Sequence, residues 1–207
     1  MNNLSLVISA PSGAGKTTLI TKLLKADDRL EFSVSTTTRP KREGETEGLS
    51  YNFIGMEEFQ DMIKAEAFIE WAQVYGHYYG TTKKEIDRIH RSGKISIFDV
   101  DVQGARSLRG KLESAAYIFI VPPSREVLVS RLHKRKTDSE SQIQIRLRKA
   151  LSELTQFYLY DYIVVNNDVE IAMNQIRSII TAELCRKQRN SYIIKDILED
   201  WRDYPTG

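Results

Sequence analysis

Cysteine is nearly absent: the 207-residue chain has one, Cys185. A lone thiol excludes a disulfide framework and any multi-cysteine zinc site, and it suits a reducing compartment. No run approaches the ~20 apolar residues of a membrane-crossing helix. The opening Met1-Asn2-Asn3-Leu4-Ser5 has neither the charged start nor the apolar core of a signal peptide. No membrane association and a cytoplasmic location are therefore expected. Neither charge dominates, with 30 Lys+Arg against 28 Asp+Glu, so the basic excess of a nucleic-acid binder is missing and no such partner is expected. Internal repeats, low-complexity tracts and Gly/Ser linkers are also lacking. The remainder, 41% hydrophobic and 28% charged, is a globular balance long enough to bury a core.

Short apolar runs alternate with helical patterns. Leu4 to Ser9 reads as a buried strand, and Lys16 to Lys25 as a helix with Leu19, Leu23 and Leu24 on one face. Further strands are expected over 94–99, 116–121 and 162–165, and helices near 102–109, 124–134, 139–158 and 169–189. This alternation predicts an α/β fold, a parallel sheet flanked by helices. The region from Phe32 to Gly80 breaks the rhythm with Gly44, Gly48, Gly55, Gly76, Gly80 and short strand-like pieces at 32–35, 51–53 and 68–75. One domain is expected, with a core of about residues 1–31 and 82–184, an insertion of about 32–81, a lid of about 131–149 and a C-terminal extension of about 185–207. Arg131 to Lys149 carries seven Lys/Arg against two Asp/Glu, which suits a basic lid beside a phosphate site. In the extension, Tyr192, Ile193, Ile197 and Trp201 form an apolar set that either packs on its own domain or makes a homo-oligomer. Cys185 reads as a packing residue.

The strongest local signal is Ser12-Gly13-Ala14-Gly15-Lys16-Thr17, placed directly after a strand and opening a helix. Glycines let such a loop fold tightly enough for successive N–H groups to face phosphate oxygens, and the helix N-terminus adds partial positive charge. Lys16 can reach the outer phosphates, and the Thr17 hydroxyl can ligate Mg²⁺. The match to G-x-x-x-x-G-K-[ST] departs at its first position, Ala10. A phosphate loop alone does not name a reaction. In the insertion, Arg39 and Arg42 lie three apart, Tyr51 follows nine residues later, and Glu70, Tyr78 and Tyr79 come next. Arginine forks with tyrosine hydroxyls suit a phosphate monoester. A carboxylate can accept the N1–H and N2–H₂ donors of guanine side by side.

With these residues the sequence resembles the guanylate kinases from about Leu4 to Leu184. Its most specific pieces are Ser9 to Lys16, Ser35 to Arg42 with Gly44-Glu45, Gly76 to Gly80, and Asp99-Val100-Asp101-Val102-Gln103-Gly104. The resemblance implies a P-loop NTPase-type sheet with an inserted GMP-binding subdomain and a mobile lid. It implies Mg-dependent transfer of the γ-phosphoryl group of ATP to GMP, and to dGMP, giving ADP and GDP in purine nucleotide metabolism and GMP recycling. Ala10, Pro11, Ser12, Gly13, Ala14, Gly15, Lys16, Thr17 and Thr18 would hold ATP phosphates, with Asn166 bordering the adenine. Arg39, Arg42, Tyr51 and Tyr79 would clamp the GMP phosphate, while Ser35, Glu70 and Thr81 read guanine and Asp101 meets the base or ribose. Thr17, and Asp99 through water, would hold Mg²⁺. Lys16, Arg39, Arg135 and Arg146 would form the catalytic set. The sequence departs from the family's pattern at His133-Lys134-Arg135-Lys136, which lacks two lid glycines, at Ile145 in place of a common Lys, and at Asn167 in place of a common Asp. Two other readings stand beside this one: a guanylate-kinase-like scaffold that binds proteins and catalyses nothing, and a kinase for another monophosphate. Retention of Lys16, Arg39, Arg42 and Asp99 opposes the first. Glu70 opposes adenine, whose amine could use only one of its oxygens.

Overall fold

The computed structural model describes residues 4–74, 76–112, 114–134, 139–202 and 204. Strands β1 (Ser5–Ser9), β2 (Leu30–Phe32), β7 (Ile95–Asp99), β8 (Ala115–Val121) and β9 (Tyr162–Val165) form one sheet in the order β2-β7-β1-β8-β9. Every pairing in it is parallel. Parallel neighbours need crossovers, and the helices that supply them cover both faces.

The sequence alternation sorts the two faces. Leu6, Ile8, Ile97, Ile118 and Ile120 point one way, into a core with Leu19 and Leu23 of α1 (Lys16–Ala26) and Met173, Ile176 and Ile180 of α7 (Val169–Leu184). Val7, Phe98, Tyr117 and Phe119 point the other way, against Ile86 of α3 (Lys83–Arg91) and Val102, Ala105 and Leu108 of α4 (Val102–Leu108). A third cluster joins Leu128 and Leu132 of α5 (Arg125–Lys134) to Ile143 and Ala150 of α6 (Glu140–Leu154). Ser139 opens α6 with a capping box closed by Gln142.

A second, smaller sheet projects from the first, in the order β4-β3-β6-β5, built from β3 (Thr36–Thr37), β4 (Asn52–Phe53), β5 (Phe68–Val74) and β6 (His77–Thr82). Helix α2 (Met56–Lys64) packs onto it through Phe59, whose ring stacks on Phe68 at 4.4 Å.

Several local expectations change. Phe32 belongs to the main sheet through β2, paired with Ile97, and not to the insertion. Helices α2 and α3 were not expected; α2 buries only Phe59, and α3 buries Ile86 and Ile89 among charged residues. The expected helix 139–158 ends at Leu154 and gives way to a short 3-10 turn over Phe157–Leu159. The expected helix 169–189 is two helices, with α8 (Lys187–Asp200) starting after a break at Cys185 and Arg186. Asn190 Nδ2 donates to the Leu184 carbonyl at 2.8 Å, and Arg186 and Tyr162 both bind the buried Glu183 carboxylate, so the chain turns there. Cys185 is exposed at this turn and does not pack. Among the described residues no helix is long and apolar enough to cross a membrane.

His90 closes α3 against the start of the main sheet, with Nε2 3.3 Å from Ser5 Oγ and 3.4 Å from Ser96 Oγ. Burial lowers its pKa below the ordinary value near 6.5. A base depressed on folding leaves its stabilisation intact above the unfolded pKa and loses it as pH falls through the folded one. The melting temperature should therefore fall on acidification from about pH 6.5 toward 5, and His90→Gln should flatten that part of a Tm-versus-pH curve. Parallel curves for the two proteins would remove His90 from the account.

Candidate active site

Ala10 to Thr17 leaves the C-terminal end of β1 and closes into α1. Gly13 and Gly15 adopt φ of 93° and 95°, the left-handed region that glycine enters without strain. Both are also confined: a Cβ on Gly13 would meet Leu128 at 2.9 Å, and one on Gly15 would collide with the Asn166 amide. The Ala14 N–H donates to the Pro11 carbonyl at 3.0 Å. The Ala14 carbonyl turns inward and accepts from Asn166 Nδ2 at 2.7 Å and Arg131 Nη1 at 3.3 Å. Gly15 caps α1 without a side chain, so first-turn amides remain available to an anion. Ala10 has no left-handed backbone and its methyl lies in the core, which is why the first glycine of the motif is dispensable here. Thr17 and Thr18 are exposed at the start of α1.

The adjacent strand β7 delivers the carboxylates. Lys16 Nζ pairs with Asp99 Oδ1 at 2.5 Å and donates to the Val100 carbonyl at 2.7 Å. Asp101 caps α4, its Oδ1 accepting from the Gly104 N–H at 2.9 Å.

The second sheet holds two groups of side chains. In the first, Glu70 Oε1 accepts from the Thr81 hydroxyl at 2.9 Å, and Ser35 Oγ lies 3.4 Å from Thr81 Oγ1. Glu70 is 6% exposed, and burial raises its pKa against the opposing pull of the Thr81 hydrogen bonds. In the second, Arg39 lies 5.5 Å from the Tyr51 ring centre, and Tyr51 meets Tyr79 edge-on at 5.9 Å. Arg39 Nη2 pairs with Glu45 Oε1 at 2.6 Å, and Glu45 Oε2 accepts the Arg42 N–H at 2.7 Å. The Arg39 guanidinium and that N–H hold the Glu45 carboxyl below the usual carboxylate range. The Arg42 side chain is exposed. Burial foremost, with a smaller push from Asp99 on Tyr51 and from Asp101 on Glu70, raises the pKa of both residues, so each lies within electrostatic reach of the carboxylates at the end of β7 and the start of α4.

The remaining expected residues are placed unevenly. Asn166 is 2% exposed and pins the phosphate loop from behind. Arg146 is half-buried on α6. Arg135 lies outside the described residues. Sequence reasoning assigned no part to three residues of the site. Glu45 holds Arg39, Arg131 bridges the carbonyls of Ala14 and Asn166, and Glu153 Oε2 accepts the Ser12 N–H at 3.4 Å. Partners of this kind become visible only in three dimensions, although Glu45, beside the two arginines, carried a charge cue.

The guanylate kinase family model matches residues 2–183. The chain belongs to the guanylate kinase family. It is 46% identical over 194 residues to the guanylate kinase of Neisseria meningitidis serogroup A, covering 94% of this chain and 95% of that one. It is 46% identical over 187 residues to the guanylate kinase of Myxococcus xanthus, covering 90% of each. The crystal structure of guanylate kinase from Anaplasma phagocytophilum superposes with a TM-score of 0.71 at 33% identity, over 90% of this chain and 88% of that one. The family's activity, phosphoryl transfer from ATP to GMP giving ADP and GDP, is the activity of this chain.

Ionised Glu70 is costly to bury, and an acid whose pKa rises on folding loses stability as pH climbs through the folded value. In this guanylate kinase-family chain Glu70→Gln should therefore raise the melting temperature at pH 7.5, with the gain vanishing below about pH 4.5. A lower Tm for the variant at both pH values would contradict the assignment of strain to this carboxylate.

Proposed function

We propose that the phosphate loop, Ala10 to Thr18, holds the ATP phosphates and that the second sheet holds GMP. The observation that carries this reading is the pair of side-chain groups gathered on the second sheet: Arg39, Tyr51 and Tyr79 for a phosphate monoester, and Ser35, Glu70 and Thr81 for a base rich in donors. Arg42 would join the first group by turning its exposed side chain inward, and Asp101 the second. None of these contacts calls on a 2′-hydroxyl, so dGMP falls in the same acceptor class as GMP.

Phosphoryl transfer needs in-line positioning and stabilisation of charge on the equatorial oxygens. Arg39 orients the attacking phosphate oxygen, which needs no general base because it is already ionised. Lys16, Arg146 and Arg135 meet the charge on the group in flight. For Lys16 this means leaving Asp99 for the nucleotide phosphates, a shift that also frees the Asp99 carboxylate. Thr17 and, through water, Asp99 would hold Mg²⁺. The oxygen-only character of this donor set fits a hard cation shared with phosphate, and the exposed Thr17 hydroxyl lies at the mouth of the loop. When bound, the cation neutralises phosphate charge. Closure of α6 over the two nucleotides would exclude water. Cytoplasmic placement belongs to the same reading, supported by the single cysteine.

A second copy of this chain is the partner that α8 fits. Ile193, Ile194, Ile197, Leu198 and Trp201 form one arc of that helix and are 41–63% exposed. The first turn is tied to the chain's own body by Arg189, which donates to the Ser114 carbonyl at 3.3 Å and lies 3.7 Å from Glu183. Ile194→Asp with Ile197→Asp should convert an oligomer to a monomer in sedimentation velocity runs. A wild-type chain that sediments as a monomer at tens of micromolar would end this part of the reading.

The catalytic reading is tested by ADP formation from Mg·ATP with GMP, AMP, CMP, UMP or dTMP as acceptor. GMP should be preferred by about 10²-fold or more, and Lys16→Ala should lose ~10²–10³ in rate. A folded chain that binds GMP without turnover would support the scaffold reading instead, and preference for another monophosphate would overturn the role of Glu70.

A further inference from the structure

Helix α6 carries Arg146 and ends at the phosphate loop, and the contact between them is a carboxylate. Glu153 is 8% exposed, its Oε2 accepts the Ser12 N–H at 3.4 Å, and its Oε1 lies 3.7 Å from Lys149 Nζ. Arg146, Ala150 and Glu153 are spaced i, i+4, i+7 and share one face of the helix. Beneath that face, Leu128 and Leu132 pack both on Ile143 and Ala150 and against Gly13 of the loop. On the other side a cleft of about 490 Å³ separates α6 from α4, bordered by Asp101, Arg106, Lys149 and Glu153. The helix thus rests on an apolar pad, beside open space, and the Glu153 carboxylate ties it to the Ser12 amide of the loop.

We propose that Glu153 is a positioning residue: its carboxylate ties α6 to the Ser12 amide and so fixes where Arg146 stands relative to the phosphate loop. An apolar pad alone tolerates sliding by fractions of an ångström, whereas a hydrogen bond to a loop amide sets a register. Burial of the group fits a structural anchor of this kind. Lys149 on its own helix, Lys16 on the loop and Asp101 at the cap of α4 are the charged groups that act on it; burial raises its pKa while Lys149, the Ser12 N–H and Lys16 lower it. The carboxylate touches no reacting group on this account; it acts through Arg146.

This inference rests on the assignment of Arg146 to the transferring phosphoryl group, and Arg146→Ala alone tests that assignment by a kcat loss of ~10². The test of Glu153 is a double-mutant cycle on kcat with Mg·ATP and GMP saturating. Glu153→Ala should lower kcat about tenfold while changing KM for either substrate by less than about threefold, since misplacement weakens the transition state more than binding. Glu153→Gln, which keeps an acceptor for the Ser12 N–H, should restore most of the rate. With Arg146 already removed, Glu153→Ala should cost less than about twofold further, because a group that acts through Arg146 has nothing left to position. Multiplicative losses in the double variant, a Gln variant as slow as Ala, or an unchanged kcat in Glu153→Ala would each overturn the proposal. Should Glu153→Ala fail to fold, Glu153→Met, similar in length and lacking the oxygen acceptors, takes its place in the cycle. If Arg146→Ala is itself fully active while Glu153→Ala is slow, the assignment of Arg146 fails and the tie through it fails with it.

Discussion

A loop that offers its amide protons to a ligand must turn its carbonyls the other way, and those carbonyls then lie inside the protein with no water to satisfy them. An unsatisfied buried carbonyl costs about 1–3 kcal/mol. Here the Ala14 carbonyl receives two donors, Asn166 from the end of β9 and Arg131 from α5, and Arg131 also binds the Asn166 carbonyl. The loop shape therefore depends on elements more than a hundred residues away in sequence. The same constraint explains why Gly13 and Gly15 cannot be exchanged: each has a left-handed backbone, and the buttressing side chains occupy the space a Cβ would need.

A second constraint is electrostatic. A site built for two polyanions must carry cations, and partly buried cations are costly without counter-charges. The protein places a carboxylate beside two of them, Asp99 on Lys16 and Glu45 on Arg39. Each pair holds its cation in place, and on the proposed reading each yields part of that cation to a phosphate. The arrangement moderates affinity, which is consistent with turnover: a site that bound its products too tightly would release them slowly.

Much of this was legible from the sequence. The strand-loop-helix signature works through local backbone chemistry, so Gly13, Gly15 and Lys16 announce themselves, and the apolar runs over 4–9 and 94–99 mark strands of the parallel sheet. Helix α3 escaped notice because its apolar face is only Ile86 and Ile89 in a run of charges, whereas α2, with Met56, Phe59, Met62 and Ile63 at helical spacing, was legible and passed over within the glycine-rich insertion. The break before α8 escaped because no glycine or proline marks it; buried Glu183 and the side chain of Asn190 make it. In the site, the residues proposed to touch ligands carry type signals, whereas their supports do not. Arg131 and Glu153 look like surface charges in a basic helical segment until the fold shows which carbonyl and which amide they meet.

Guanine selectivity on the proposed reading follows from the free protein as much as from the complex. Glu70 is buried with the Thr81 hydroxyl as its hydrogen-bond donor, and an ionised carboxylate there lacks the donors it would have in water. A base presenting two adjacent N–H donors relieves that deficit, at about 1.5–3 kcal/mol for each hydrogen bond to a charged group. Adenine offers one donor and sets a ring-nitrogen lone pair against the second oxygen, so it forfeits one bond and adds a repulsion. The difference corresponds to roughly 10- to 100-fold from the lost bond alone, before the repulsion is counted. The burial that strains Glu70 is therefore what makes the discrimination large: the same carboxylate in water would gain almost nothing from either base.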